Sequence, residues 1–359
     1  MYHDDIDLLT RSEHAQVMQR IGINGFGRIG RQVLRAIAES PEWSGIEVVA
    51  INGRGDPEQL AHLFAFDSVY GRFSGSVRAS DNGIVVNDRF IAITRAATPL
   101  ETRWGDFGVD LVVESTGAFD ADPRMRGHLE SGARLVIVTS PAEIADATLV
   151  YGVNDDTFDA DAHQIISAAS CTTNCLACVA QVIHEAFGIR NGMATTVHAI
   201  TNDQVTIDSR HKDPRRARAS GSNIIPTSTG AARLLDVVMP EIAGRIAGSA
   251  VRVPVMTGSL LELVVETEAP VDRRAVNEAF HRVMATGGLK GALDFTNLPL
   301  VSSDFCMDPH SAIVDGELTN VQGDRLLKIS AWYDNEWGYS NRVIDLVRLV
   351  GSQASMLPA

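Results

Sequence analysis

A glycine-rich turn near the start of the chain constrains the fold more than any other feature of the sequence. Residues 25–30 read G-F-G-R-I-G and fit the pattern G-x-G-x-x-G. The turn follows a short apolar run at 21–24, opens a helical stretch at 29–38 and leads to a second apolar run at 46–52. This order predicts a βαβ unit, the start of a parallel sheet.

The position of the turn indicates a ligand. Its glycines permit a tight turn and let the backbone approach a pyrophosphate at the positive N-terminus of the following helix. A purely structural turn is the alternative, but the flanking strand and helix favour a dinucleotide.

The remaining chain shows two kinds of pattern. Before residue 170, further short strands are predicted at 91–94, 111–115 and 135–139. After it we predict a helix at 173–186, strands at 193–199, 251–255, 260–266 and 326–332, and a final helix at 341–350. Alternating strands of the second kind suit an antiparallel sheet. The predicted fold class is α/β, with a Rossmann dinucleotide-binding domain and a second, α+β domain built on a largely antiparallel sheet.

Composition and charge narrow the class of protein. The chain has 359 residues, and its apolar runs fall short of the roughly 20 residues that a membrane span needs. A net charge of -14 opposes general binding to nucleic acid or anionic lipid. We therefore expect a protein that binds neither nucleic acid nor membrane. The cysteines lack a disulfide-like spread, which indicates a reducing compartment, so we expect the protein to be cytoplasmic. Residues 1–19 lack the features of a secretory signal and are interpreted as a short N-terminal extension.

One basic segment differs from this acidic background. This basic island comprises Arg210, His211, Lys212, Arg215, Arg216 and Arg218. Such a segment is expected to meet an anionic partner or a neighbouring chain, and a solvated charged loop is the alternative.

Cys171 stands where a thiol can act as a nucleophile. It comes just before the helix predicted at 173–186, and a helix N-terminus lowers the pKa of a thiol. His198, at the end of a predicted strand, can form an ion pair with Cys171 if the two ends converge. Otherwise a histidine in this position is structural.

The cysteine spacing also allows a different interpretation. Cys171, Cys175 and Cys178 spell C-x3-C-x2-C, which is able to hold an iron–sulfur cluster. Placement of these residues on one short helix disfavours a cluster, so we expect Cys175 and Cys178 to be packed thiols and expect no metal.

The end of the second predicted strand bears on the choice of cofactor. An acidic residue about 20 positions after the glycine turn normally receives the adenosine ribose hydroxyls, but this strand ends in Asn52-Gly53-Arg54. Gly53 leaves room for a 2′-phosphate, with which Arg54 or Arg210 can pair. We therefore expect NAD(P), with a preference for NADP. The alternative is that Asn52 or Asp56 serves the ribose and that NAD binds.

Six separated motifs occur together in one order. They are INGFGRIGR at 23–31, ASCTTNCLA at 169–177, HKDPRRARA at 211–219, IIPTSTGAA at 224–232, RVP at 252–254 and WYDNEWGYSNR at 332–342. In this combination the chain resembles the phosphorylating glyceraldehyde-3-phosphate dehydrogenase family (type I). The resemblance covers essentially the whole chain from residue 20.

This resemblance implies a reaction. Cys171 attacks the aldehyde of glyceraldehyde 3-phosphate, and His198 activates the thiol and assists hydride departure. Hydride passes to the nicotinamide, and inorganic phosphate cleaves the resulting thioester to 1,3-bisphosphoglycerate. The family also implies a homotetramer in which the loop at 204–220 packs between subunits near the cofactor.

The resemblance also assigns site residues. Those implied for the sugar phosphate and inorganic phosphate are Ser170, Thr172, Thr201, Arg216, Thr229, Gly230 and Arg252. With the residues already considered, those expected to bind the cofactor are Gly25, Gly27, Arg28, Ile29, Gly30, Asn52, Gly53, Arg54, Arg95, Thr116, Gly117, Thr139, Arg210 and Asn335.

The expected segments follow from the same resemblance. They are an N-terminal extension at 1–19, an NAD(P)-binding Rossmann domain at 20–170, a catalytic domain at 171–334 and a C-terminal helix at 335–359 that returns to the NAD(P)-binding domain.

The sequence departs from the family pattern at several positions. Gly53 replaces the usual aspartate and Arg210 stands where NAD-type members commonly have proline, and both changes favour NADP. Cys178 replaces a common proline, and Ile200 replaces an aromatic residue. Two other functions stay open: an erythrose-4-phosphate dehydrogenase, which the stretch at 298–316 also resembles, and a catalytically idle binding or regulatory relative.

Overall fold

The βαβ unit expected from the glycine turn is present and begins a sheet of nine strands in the computed structural model, which describes residues 18–354. In chain order the strands are β1 (Gln19–Asn24), β2 (Ile46–Asn52), β3 (Phe66–Asp67), β4 (Gly71–Arg72), β5 (Val77–Ser80), β6 (Gly83–Val86), β7 (Arg89–Thr94), β8 (Leu111–Glu114), β9 (Leu135–Val138), β10 (Ala147–Thr148), β11 (Ile165–Ser167), β12 (Ile189–His198), β13 (Ile225–Ser228), β14 (Ile246–Arg252), β15 (Ser259–Thr267), β16 (Leu293–Thr296), β17 (Ala312–Asp315), β18 (Asn320–Gln322) and β19 (Leu326–Tyr333). The α-helices are α1 (Arg28–Glu39), α2 (Pro57–Ala65), α3 (Gly127–Glu130), α4 (Cys171–Phe187), α5 (Ala231–Val238), α6 (Arg273–Ala285) and α7 (Trp337–Ala354).

The first sheet has the order β10-β11-β9-β8-β1-β2-β7-β6-β5. Its strands run parallel from β10 to β7, and β6 and β5 add an antiparallel edge. Strands β8 and β9 are buried at every residue, as their largely apolar sequences require in a sheet covered on both faces, and Glu114 at the end of β8 is the one charged residue among them. The sheet confirms the predicted Rossmann architecture, and the antiparallel edge is an addition that the sequence analysis did not identify.

The second sheet has eight strands, with the main order β13-β14-β12-β15-β19-β17-β16. Most pairs are antiparallel, but β12 pairs parallel with β14 and β16 pairs parallel with β17. The strand predicted at 251–255 is wrong in its bounds, since β14 ends at Arg252. Pro254 has no N–H to donate, so the ladder stops before it.

The cores lie against the two sheets. One cluster packs α1 and the apolar face of α7 against the first sheet, and a second packs α4 and α6 against the second sheet. Gln19 Nε2 also donates to Val347 O at 3.0 Å, which ties β1 to α7. The last helix therefore lies beside the first sheet although it follows the second in the chain.

The predicted N-terminal extension lies outside the described residues up to position 17, and Gln19 already belongs to β1. Residues 355–359 of the predicted C-terminal segment also lie outside them. Between residues 18 and 354, no helix is both long enough and apolar enough to cross a membrane.

Candidate active site

Cys171 is the first residue of α4, where a sharp turn presents its thiol. Ala169 has a φ of 57°, a left-handed conformation that costs a non-glycine residue roughly 1–2 kcal/mol. Ser170 caps the helix, since its Oγ accepts a hydrogen bond from Thr173 N–H at 3.1 Å. The side chain of Cys171 packs against the cores of both sheets, so the turn places the thiol at their junction.

His198 is the last residue of β12 and reaches the thiol from the second sheet. Its Nε2 lies 3.5 Å from Cys171 Sγ. The imidazole is buried, and its ring meets Tyr333 edge-on. The structure therefore brings together the two residues that the sequence analysis paired.

Arg252 stands beside His198 because the two residues are register partners at the ends of the parallel strands β14 and β12. Arg252 Nη1 lies 2.5 Å from His198 Nδ1 and donates to Ala199 O at 3.0 Å. Ala199 O also lies 2.8 Å from His198 Nδ1, and a carbonyl oxygen only accepts, so an N–H on Nδ1 leaves Nε2 free to accept the thiol proton. Arg252 Nε is buried without a partner among the described residues, which is typical of a group that meets a ligand.

Burial and charge set the protonation of the pair. Burial raises the pKa of the Cys171 thiol, against the opposing positive charge of Arg252. Burial first, and then Arg252, lower the pKa of His198 to about 3. Backbone hydrogen bonds at the helix start lower the pKa of the thiol, in the expected direction, but burial outweighs them in the net shift.

Transfer of the thiol proton from Cys171 to His198 has a different energetic cost from ionising either residue alone. It converts the thiol and imidazole into a thiolate and an imidazolium 3.5 Å apart. Two such charges attract by roughly 5 kcal/mol at an effective dielectric constant of about 20. An attraction of that size offsets much of the cost of burying the two charges, so the pair can ionise together more easily than either group alone.

Arg216 approaches the same site from the loop between β12 and β13. Its Nη1 donates to Asp203 at 2.5 Å, its Nε donates to Thr227 Oγ1 at 3.0 Å, and its Nη2 donates to Ser228 O at 3.1 Å. After burial and Arg252, its charge is a further cause that lowers the pKa of His198. The arginine predicted from the sequence therefore lies close enough to His198 to affect its pKa, and three partners hold its guanidinium.

The basic island is partly neutralised from within. Arg216 and His211 both contact Asp203, and Arg218 pairs with Asp208 at 2.7 Å. Part of the positive charge that the sequence analysis assigned to an anionic partner is thus neutralised by ion pairs within the loop itself.

The remaining predicted phosphate residues lie at the ends of helices and strands. Ser170 Oγ is engaged as the cap of α4, while Thr229 Oγ1 accepts a backbone N–H at the start of α5 and Gly230 precedes that helix. Thr201 N–H donates to Gln204 Oε1 at 3.3 Å. Helix starts of this kind offer backbone donors to an anion.

Tyr333 is a site residue that the sequence analysis missed. Its hydroxyl lies 2.9 Å from Thr172 Oγ1 and 2.6 Å from Thr196 Oγ1. It is the last residue of β19 and is fully enclosed beside His198. Its position inside the WYDNEWGYSNR motif could have identified it as a site residue. A buried tyrosine in a strand is also common in hydrophobic cores, however, so the residue type alone did not single it out.

A cleft of about 640 Å³ lies at the carboxyl ends of the parallel strands. Seven of the predicted cofactor residues line it: Gly25, Gly27, Asn52, Gly53, Arg54, Arg95 and Thr116. The other lining residues are Asn24, Phe26, Ala96, Ala97, Thr98, Ser115, Ala118 and Phe119. None of these described residues is acidic, whereas two are arginines.

The glycine turn forms one wall of this cleft. Gly25 has a φ of 97°, which favours glycine. A Cβ at Gly30 would stand 2.1 Å from Gly25 O, so only glycine lets α1 approach the turn so closely. A Cβ at Gly27 would meet nothing within 4 Å, and no side chain caps α1. The free N–H groups of that helix start fit a pyrophosphate.

Two family models match the chain. The model described as "Glyceraldehyde 3-phosphate dehydrogenase, NAD binding domain" matches residues 19–122, and the one described as "Glyceraldehyde 3-phosphate dehydrogenase, C-terminal domain" matches residues 170–335. A Bacillus subtilis (strain 168) protein named glyceraldehyde-3-phosphate dehydrogenase 2 is 49% identical over 334 residues, which cover 93% of this chain and 97% of that protein. A Streptomyces arenae protein of the same name is 51% identical over 333 residues, or 93% of this chain and 98% of that one. A Mycobacterium avium glyceraldehyde-3-phosphate dehydrogenase is 49% identical over 336 residues, or 92% and 98%.

This chain belongs to the glyceraldehyde-3-phosphate dehydrogenase family. The match confirms the resemblance seen in the sequence and the predicted oxidoreductase class, and the NAD binding domain assigns a nicotinamide dinucleotide cofactor.

Seven cofactor residues predicted from the family pattern do not line the cleft. They are Arg28, Ile29, Gly30, Gly117, Thr139, Arg210 and Asn335. The guanidinium of Arg28 forms ion pairs at 2.5 Å with Asp67 and Glu336, so it joins the glycine turn to the start of α7. Arg210 is exposed on the basic island. Because the Arg28 side chain is engaged in these ion pairs, only the backbone of this residue is free to contact a cofactor. Within a single chain, Arg210 does not reach the cleft.

The two alternative ribose partners considered in the sequence analysis are already engaged. Asn52 Nδ2 donates to Asn24 Oδ1 at 2.7 Å, and Asn52 Oδ1 accepts from Thr94 Oγ1 at 2.9 Å and from Ala96 N–H at 2.8 Å. Asp56 caps α2 through its carboxylate. The structure therefore disfavours the reading in which one of these side chains replaces the missing carboxylate.

Proposed function

We propose that this chain catalyses the phosphorylating oxidation of glyceraldehyde 3-phosphate to 1,3-bisphosphoglycerate with NAD(P)+. The observation that carries the proposal is the 3.5 Å contact between Cys171 Sγ and His198 Nε2, with Arg252 beside the imidazole. The names of the relatives from Bacillus, Streptomyces and Mycobacterium support the same reaction.

The catalytic pair performs the covalent steps. Cys171 Sγ attacks the aldehyde carbon, and the thiol proton passes through His198 to the carbonyl oxygen, which gives a hemithioacetal. Backbone N–H groups at the start of α4 stabilise the developing oxyanion. A bound nicotinamide dinucleotide supplies the hydride acceptor, while His198 takes the hydroxyl proton and a thioester remains on Cys171. Inorganic phosphate then attacks the thioester carbon, and the thiolate leaves.

Two arginines suit the two anions of this reaction. Arg252 and Thr201 would hold the phosphate of the sugar, and the unpartnered Nε of Arg252 supports this role. Arg216, held near His198, would serve the attacking phosphate with the donors of Thr229, Gly230, Ser170 and Thr172. Guanidinium and hydroxyl groups supply several donors and a fixed charge, which suits tetrahedral oxyanions.

We further propose a preference for NADP over NAD. Gly53 offers no carboxylate to the ribose, and Arg54 and Arg95 line the same cleft. A 2′-phosphate there would meet positive charge, whereas the two ribose hydroxyls of NAD would miss their usual acceptor. Arg210 would contribute from a neighbouring copy of the chain.

A homotetramer in the cytoplasm completes the proposal. Exposed apolar side chains on and beside the loop at 204–220, such as Ile207 at 76% and Ile224 at 71% exposure, support a contact between copies. Four free cysteines support a reducing compartment. We propose the segments given by the sequence, with the NAD(P)-binding domain at 20–170 and the catalytic domain at 171–334.

One set of steady-state assays tests the function. Glyceraldehyde 3-phosphate and erythrose 4-phosphate are compared as substrates, each with NAD and NADP and each with and without inorganic phosphate. Phosphate-dependent oxidation of glyceraldehyde 3-phosphate, with a higher kcat/KM for NADP, is the expected result. More efficient, phosphate-independent oxidation of erythrose 4-phosphate would replace this proposal with the sister activity. Failure to oxidise either sugar phosphate would leave a non-catalytic relative.

A further inference from the structure

A buried carboxylate lies beneath the cofactor cleft. Glu114 ends β8 and is 1% exposed. Its Oε1 accepts from Thr116 N–H at 2.7 Å and from Thr116 Oγ1 at 2.5 Å, and its Oε2 accepts from Asn24 Nδ2 and lies 3.0 Å from His128 Nε2. Both Thr116 and Asn24 line the cleft.

The neighbour of His128 fixes where its proton lies. Trp104 Nε1 donates to His128 Nδ1 at 2.8 Å, and both side chains are fully buried. An indole N–H cannot accept, so Nδ1 must be the acceptor and Nε2 must carry the hydrogen. His128 is therefore a neutral imidazole that donates to Glu114, and Glu114 is a buried carboxylate surrounded by donors.

The same row of hydrogen bonds continues across the sheet. Asn24 Oδ1 accepts from Asn52 Nδ2 at 2.7 Å, and Asn52 Oδ1 accepts from Thr94 Oγ1 at 2.9 Å. These residues stand at the carboxyl ends of β1, β2 and β7, beside Glu114 on β8. This row of hydrogen-bonded side chains, which we call the polar floor, underlies the cleft across the ends of these four strands.

We propose that Glu114 is a positioning residue for the dinucleotide: its charge, matched to the one tautomer of His128 that Trp104 allows, orients Thr116 and Asn24 for cofactor binding. The inference rests on the proposed cofactor site and adds a residue that does not itself line the cleft. A half-satisfied buried network is costly, so losing the carboxylate turns the floor residues away from their positions.

The test is Glu114→Gln in the full chain, with dissociation constants for NADP and NAD measured by titration calorimetry. The new amide N–H₂ faces either Thr116 or the pair Asn24 and His128, all of which donate, so at least one contact becomes donor against donor. We expect cofactor binding to weaken by about tenfold or more, with kcat at saturating cofactor within about twofold of the parent. Glu262→Gln removes a carboxylate from the second sheet, where it contacts Ser330 and Lys328, and should leave cofactor binding unchanged.

A second substitution separates positioning from simple loss of stability. Trp104→Phe removes the indole donor and lets His128 move its proton to Nδ1, so that Nε2 accepts from the new amide. In the Trp104→Phe background the contact with His128 is restored while the contact with Asn24 is not, so Glu114→Gln is expected to weaken cofactor binding clearly less than the roughly tenfold expected in the parent. If the single Glu114→Gln variant does not fold, the comparison of Trp104→Phe with the double variant still tests the positioning role of Glu114.

Three outcomes count against the inference or its basis. A folded Glu114→Gln variant that binds the cofactor as the parent does would overturn the positioning role. A loss of about tenfold that persists in the Trp104→Phe background would overturn the tautomer argument. A parent protein that binds neither dinucleotide would refute the proposed function itself.

Discussion

His198 Nε2 lies 3.5 Å from Cys171 Sγ although the two residues are 27 positions apart in the chain. Cys171 is the first residue of α4, and His198 is the last residue of β12 in the second sheet. The contact therefore depends on how α4 packs against the second sheet, and it ties the proposed reactivity of the thiol to that packing.

Replacement of His198 by asparagine should change the pH dependence of the thiol. Without the imidazole, the thiolate loses its partner cation while burial still raises the pKa of Cys171, so alkylation by iodoacetamide should begin at a higher pH. The value of kcat should fall by about 10²- to 10⁴-fold. The measurement is the rate of inactivation across a pH series, with His281→Asn, an exposed histidine, as the control. An unchanged pH midpoint would contradict the pairing.

Cys171→Ser should abolish aldehyde oxidation and leave cofactor binding intact, because a serine hydroxyl at this position is a far weaker nucleophile than a thiolate. The matched control is Cys306→Ser, since Cys306 is also partly buried but has its sulfur near Val69 O at 3.9 Å. Rapid-mixing assays should show a burst of reduced cofactor in the control only. Residual turnover in the Cys171 variant equal to that of the control would argue against a covalent thioester.

Gly53→Asp should shift cofactor preference towards NAD. An added Cβ at Gly53 would stand 3.4 Å from Phe26 Cβ, an ordinary contact, so the fold can accept the side chain. The carboxylate would accept the ribose hydroxyls of NAD and repel the 2′-phosphate of NADP. We expect the ratio of kcat/KM values for NADP and NAD to fall by about tenfold or more, and Gly53→Ala to change it little. A ratio unaffected by aspartate would remove Gly53 from the specificity argument.

Arg252→Gln should weaken binding of phosphorylated aldehydes selectively. A charge-assisted hydrogen bond is worth about 1.5–3 kcal/mol, so KM for glyceraldehyde 3-phosphate should rise by roughly 10- to 100-fold. KM for glyceraldehyde without the phosphate should change much less. The control is Arg218→Gln, which removes an exposed arginine that pairs with Asp208. Equal losses with both aldehydes would mean that Arg252 acts on His198 and not on the substrate phosphate.

Local sequence patterns predicted the parts of this protein that are local in the chain. The glycine turn and its flanking β1 and α1 each depend on a few consecutive residues, whose backbone conformation follows from their types. The helix α4 was also predicted, but it begins at Cys171, two residues earlier than expected. Strand bounds were less accurate where a single proline ends the ladder, as at Pro254. The antiparallel edge formed by β5 and β6 was missed because short strands there carry no distinctive motif.

The sequence by itself determined the fold class and the family, and it singled out Cys171, His198 and the missing carboxylate at Gly53, because each is a matter of residue type and spacing. Only the tertiary structure decided that Arg252 is the register partner of His198, that the Tyr333 hydroxyl contacts Thr172, and that Asn52 is hydrogen-bonded to its neighbours. It also added the burial that raises the pKa of Cys171 against the effect of the helix start. Register, burial and hydrogen-bond partners arise from segments far apart in the chain, and desolvation depends on how those segments pack.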